Sequence, residues 1–110
     1  MQLSSPGEAK RAGRLVTLTS EWEYLKVYRM WRGITMKFNH NTHIRMGLVE
    51  TRDITLIEGN NWGDKFWGQV NGEGMNMLGR LLMELRELYI RIDMDAQRNN
   101  ELTVALKEKP

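Results

Sequence analysis

The sequence predicts a mostly helical α+β domain, and three observations carry that expectation. Leu78, Leu81, Leu82, Leu85, Tyr89 and Ile92 recur at i, i+3, i+4, i+7, i+11 and i+14, the spacing of one face of a long helix. Ser5-Pro6-Gly7-Glu8 and Ser20-Glu21-Trp22-Glu23 each set a Ser three residues before a Glu, the capping box that opens a helix. Ile54-Thr55-Leu56-Ile57-Glu58 is a β-branched run that reads as a short strand.

The elements follow in order. Pro6 at the first helical position starts a short helix reaching about Gly13, and residues 15–19 read as a linker or short extended piece. From the Ser20 cap a second helix runs to about Phe38. Tyr24, Val27, Tyr28, Trp31 and Phe38 face the core, while Trp22, Lys26 and Met30 form another stripe. Asn39 to Asn41 break the pattern, and a shorter helix over His43–Glu50 turns Ile44 and Leu48 inward. Thr51-Arg52-Asp53 is a turn before the strand. The long helix, with Asn76 as its N-cap, is the spine of the domain. The domain is expected over residues 3–92, with residues 99–110 as a flexible, solvated tail.

Composition excludes several classes. The 110 residues allow one domain, and 41% hydrophobic with 27% charged residues suits a globular fold. Without cysteine there is no disulfide framework, thiolate metal site or cysteine nucleophile. His40 and His43 stand three apart with no third ligand in view, so no metal is assigned. A net charge of +2 with no recognisable DNA-binding module does not point to duplex DNA. No apolar run approaches the ~18 residues of a membrane span, and the first residues lack a signal peptide's features. The expected location is cytoplasmic.

Chemistry concentrates between Gly59 and Gly74, where five glycines share the segment with Trp62, Phe66, Trp67, Asn60, Asn61, Asp64 and Asn71. A loop this long in a small domain is usually functional. Glycines admit a ligand to the backbone, tryptophans offer flat faces to a base or ribose, and Asp64 supplies a carboxylate. The amides at the start of the following helix are expected to be free to receive a phosphate. It is no dinucleotide fingerprint, because Met77 stands where Gly72-x-Gly74 would need its third glycine, and no Gly-Lys-Ser/Thr follows.

Five blocks resemble the NADAR (YbiA-like) domain family: Leu3-Ser4-Ser5-Pro6-Gly7-Glu8-Ala9-Lys10-Arg11-Ala12-Gly13-Arg14; Trp22-x-x-x-Lys26-x-x-x-Met30; Lys37-Phe38; Glu58-Gly59-Asn60-Asn61-Trp62-Gly63-Asp64-x-x-Trp67-Gly68; and Gly74-x-Asn76-x-Leu78-Gly79-x-Leu81-Leu82-Met83-x-x-Arg86. They stand in the family's order and cover roughly residues 3 to 88. The resemblance implies a YbiA-like single domain and N-glycosidase activity, either on ribosylamine intermediates of the riboflavin pathway or on ADP-ribosylated guanine. It also implies that the family's Ser-x-Glu-His-x-x-Gln-type segment, with its active-site glutamate, lies outside this chain. By the same resemblance Asp64 and Trp22 are the catalytic positions.

As an N-glycosidic bond breaks, positive charge builds on the ribose, and a carboxylate stabilises it or activates water. Asp64 fits that role and Trp22 a stacking one. Lys10, Arg14 and Lys26 are the expected phosphate partners, with Asn60, Trp62, Gly74 and Asn76 completing the substrate-binding set. No cofactor is expected. The partners expected are a nucleotide or ADP-ribosylated base, with self-association or another chain supplying the remaining segment. The alternatives are a non-catalytic nucleotide- or ADP-ribose-binding module and one half of a split enzyme. Pattern alone reads Trp62 and Trp67 as anchors of the loop and Lys10, Arg11 and Arg14 as a solvated face.

Overall fold

The structure is a computed structural model and describes residues 20–108. The expected first helix and linker, with Lys10 and Arg14, lie outside the described residues. Three helices account for most of the rest: α1 (Glu21–Asn39), α2 (Thr42–Glu50) and α3 (Met77–Glu108). No described helix is long and apolar enough to cross a membrane.

Side-chain caps open the first two helices, the first where the sequence expected it. The Ser20 Oγ accepts from the Glu23 amide at 3.2 Å and opens α1. The Asn41 Oδ1 accepts from the Ile44 amide at 3.3 Å and opens α2 one residue before the expected start. Each satisfies an amide that the first turn would otherwise leave unpaired.

The three helices pack against one another around Val27, Trp31 and Ile34 of α1, Leu48 of α2, and Met77, Leu81, Leu85 and Tyr89 of α3. Leu78, Leu82 and Ile92 pack at its margin. Tyr24, expected in the core, stays 41% exposed, and Ile34 and Thr35 are buried in its place. Thr35 can be buried because its hydroxyl donates to the Arg32 carbonyl at 3.0 Å, which removes the cost of desolvating it. Trp31 is buried, and its indole N–H has no acceptor among the described residues.

Where α1 and α2 meet α3, the Tyr89 hydroxyl donates to Asn39 Oδ1, and the Arg45 guanidinium lies 4.1 Å from the Tyr89 ring centroid and 3.3 Å from Asp93. Burial pushes the Tyr89 phenol above its usual value, against the opposing pull of Arg45. A phenol whose folded pKa is raised contributes stability that is complete below the unfolded value of ~10 and lost as pH rises through the folded one. Melting temperature should therefore fall above about pH 10, and Tyr89→Phe should flatten that decline in a pH series of thermal melts.

The strand is corrected. Residues 54–58 form no ladder, and pairing among the described residues is limited to isolated bridges between Gly59 and Gln69 and between Val70 and Glu73. Side chains of α3 and of the residue just before it take the place of a neighbouring strand. The Asn76 amide donates to the Leu56 carbonyl at 2.8 Å and accepts from the Glu58 N–H at 2.9 Å. The buried Arg86 donates to the Ile54 carbonyl at 2.7 Å and to Thr51 Oγ1 at 3.0 Å. Extended backbone needs partners, and here it finds them on a helix and its entry. The described architecture is thus mostly helical.

The segment after Asn99, expected as a tail, is exposed as far as residue 107 but remains helical to Glu108.

Candidate active site

The loop between residues 58 and 76 is built by its own polar side chains. Asn60 spans it, donating from Nδ2 to the Asp64 carbonyl at 2.8 Å and accepting at Oδ1 from the Asp64 amide at 3.0 Å. Asp64 Oδ1 then accepts from the amides of Phe66 and Trp67 at 3.1 and 2.9 Å. Such self-bonding is the usual reason Asn and Asp occupy turns. Val70 and Glu73 exchange backbone hydrogen bonds around Asn71 (φ 51°) and Gly72 (φ 80°). Two positive φ angles in a row make a tight primed turn, and Asn-Gly is its best dipeptide.

The loop closes onto the start of α3. The amides of Met75, Asn76, Met77 and Leu78 donate to the carbonyls of Lys65, Gly68, Phe66 and Trp67 at 2.8, 3.2, 3.0 and 2.9 Å. The expectation of free helix amides for a phosphate is therefore corrected, since loop carbonyls hold them. Asn76 is buried, and its side chain is committed to residues 56 and 58, so it does not cap its own helix. Gly74 (φ 138°) lets the backbone pass where a Cβ would meet the carbonyls of Gly68 and Lys65. Asn60, Gly74 and Asn76, expected to touch substrate, thus serve the frame of the loop.

The exposed chemistry comes from two elements brought together by Lys26. Its ammonium sits 3.6 Å from the Phe66 ring centroid and 6.0 Å from that of Trp67, so it ties α1 to the loop through cation–π attraction. Phe66 and Trp67 pack edge to face at 4.8 Å. Trp22, one turn before Lys26 on α1, is 60% exposed, and Trp62 is 72% exposed. Trp67 anchors the loop as pattern suggested; Trp62 does not. Among the described residues nothing donates to Asp64 Oδ2, while Oδ1 holds the loop.

Phe66, the ring beneath Lys26, was not among the expected site residues; its place beside Trp67 in the loop was the available signal. Three clefts lined by described residues lie elsewhere, and none has Trp22, Lys26 or Asp64 in its wall. The arrangement offers a flat indole, a cation held on aromatic rings, and a carboxylate with one oxygen that no described residue donates to.

Comparison with known proteins agrees with the motif blocks. The NADAR domain profile matches residues 1–89. The chain is 38% identical over 89 residues to N-glycosidase YbiA of Escherichia coli (strain K12), covering 78% of this chain and 55% of that protein. It is 38% identical over 87 residues to N-glycosidase Npun_R5314 of Nostoc punctiforme, covering 76% of this chain and 55% of the relative. It is also 37% identical over 93 residues to the chloroplastic riboflavin biosynthesis protein PYRR of Arabidopsis thaliana, covering 78% of this chain and 15% of that protein. The chain thus spans just over half the length of these bacterial relatives and a small part of the plant one. No solved structure matches it. A profile match over most of the chain, and relatives of this similarity along the same region, show that the chain belongs to the NADAR domain family.

Proposed function

We propose that the chain takes part in hydrolysing the N-glycosidic bond of a ribosylated nucleotide or base, either a riboflavin-pathway ribosylamine or ADP-ribosylated guanine. The observation that carries this reading is Asp64, whose carboxylate keeps one oxygen without a donor among the described residues, on the loop that Lys26 ties to the Trp22 end of α1. Family membership supplies the reaction class, since two of the relatives are named N-glycosidases.

In this reading the bond from the anomeric carbon to nitrogen breaks, and its electron pair leaves with the amine or base. Water adds to the carbon, and Asp64 first offsets the ribose cation and then takes the proton of that water. The proton ends on the departing nitrogen. Trp22 stacks on the ribose or base, and Lys26 offers its charge to a phosphate.

The test is incubation of the purified chain with each substrate, product being followed by mass spectrometry. Asp64→Asn keeps an oxygen to accept from Phe66 and Trp67, so the fold should persist while turnover falls by roughly 10²-fold or more. Asp64→Ala should lose turnover and also ~1–2 kcal/mol of stability, because two amides lose their acceptor. Trp22→Ala, at an exposed position, should weaken substrate binding by about tenfold with no change in melting temperature. Unchanged turnover in Asp64→Asn would remove the proposal. Ligand bound by the wild-type chain without product would instead assign a non-catalytic nucleotide- or ADP-ribose-binding module, or one half of a split enzyme.

A further inference from the structure

The face of α1 turned away from the core carries an unusual load. Trp22, Leu25, Arg29, Arg32, Gly33 and Met36 fall within an arc of ~100° on the helix, opposite the buried Val27, Trp31 and Ile34. Leu25 is 39% and Met36 56% exposed. Arg29 and Arg32 are exposed one turn apart, and among the described residues neither has an ion-pair partner. The Arg32 guanidinium lies 6.0 Å from the Tyr28 ring centroid.

We infer that this stripe docks an acidic amphipathic helix of a partner polypeptide. Two carboxylates one turn apart meet Arg29 and Arg32, and flanking apolar side chains cover Leu25 and Met36. From residue 25 to residue 36 the stripe runs about 16 Å, enough for three turns of such a helix to lie along it.

Charge selects this occupant over a second copy. An antiparallel pair of α1 helices that matches Trp22 with Met36 sets Arg29 against Arg29, and a parallel pair sets every arginine against its twin. Like charges directly opposed work against either pairing. A nucleic acid fits less well, because its phosphates would leave the exposed Leu25 and Met36 uncovered. Family proteins also hold further polypeptide, since the matched region is 55% of the YbiA length. The inference uses neither Asp64 nor Lys26, and an occupant seated over residues 25–36 leaves Trp22 to the chemistry proposed above.

The chain has no cysteine, so Leu25→Cys places a single thiol in the stripe. Its reaction with a disulfide dye is followed alone and with three probes. These are a synthetic helical peptide carrying a Glu pair one turn apart between leucines, the same peptide with Lys for Glu, and a single-stranded oligonucleotide. The acidic peptide should slow the reaction by about tenfold at saturation. Arg29→Glu with Arg32→Glu should abolish that protection, and the Lys peptide should then restore it. Circular dichroism establishes that the exposed substitutions leave the helices intact.

The inference is overturned if the acidic peptide gives no protection, or if the Lys peptide or the oligonucleotide protects the wild-type stripe equally. A thiol already slow in dilute chain alone overturns it too, since the chain then covers its own stripe. Protection that grows with the concentration of the chain alone overturns it in favour of a second copy.

Discussion

Asn76→Ala should lower stability by about 3 kcal/mol, a cost as large as that of truncating a core side chain. The side chain stands in for a strand, pairing with both the Leu56 carbonyl and the Glu58 amide. Its removal leaves a partly buried donor and acceptor unmatched, at ~1–3 kcal/mol in total after some hydration. Alanine must also adopt the residue's φ of 52°, a left-handed conformation costing an L residue about 1 kcal/mol more. Urea unfolding separates the two contributions. Asn76→Gly loses the same hydrogen bonds but accepts the backbone angle, so it should fall about 1 kcal/mol less far. Equal stability for Asn76→Ala and wild type would mean that residues 54–58 are held by other contacts.

Gly79→Ala should also destabilise, against the ordinary rule for helices. In a helix interior, Gly to Ala stabilises by up to ~1 kcal/mol. At Gly79 a Cβ would run into the Leu56 carbonyl oxygen and the Asn76 side-chain amide, the same pairing that holds the extended segment to α3. Backbone and a buried amide cannot give way cheaply, so a cost of about 2 kcal/mol is expected. Gly33 and Gly47 are the internal controls. Both lie within helices, and a Cβ at either would have nothing within 4 Å, so Gly33→Ala and Gly47→Ala should each stabilise by ~0.5–1 kcal/mol. Thermal melts of the three variants suffice, and a stabilised Gly79→Ala would refute the packing of α3 on residue 56.

The helices were legible because their signals are local. Ser20, the Asn39–Asn41 break and the leucine spacing each act within a few residues, and the structure places α1, α2 and α3 accordingly. Residues 54–58 misled because β-branched composition reports a preference for extended backbone and says nothing about what pairs with it. The partners, Asn76 and Arg86, lie at and beyond the start of a helix, far along the chain. Asn76 misled for a related reason. An Asn before a leucine repeat looks like a cap, and only the tertiary contact shows its amide spent elsewhere. In the site, Asp64 and Trp22 were legible as residue types, but the contact of Lys26 with Phe66 joins residues forty apart and has no local signature. The Asn71-Gly72 turn was available to a closer reading.

The way the loop is tied to α3 bears on how the family can vary. Four consecutive carbonyls, from Lys65 to Gly68, are matched to four consecutive amides, from Met75 to Leu78. Those bonds use main-chain atoms alone and are indifferent to the side chains at positions such as 61, 62 or 65. An inserted or deleted residue within 65–68 or 75–78 would put that matching out of step, whereas exchanging an exposed side chain would not. Evolution can therefore exchange the side chains that the loop presents while these two runs keep their lengths, so surface and architecture drift on separate clocks.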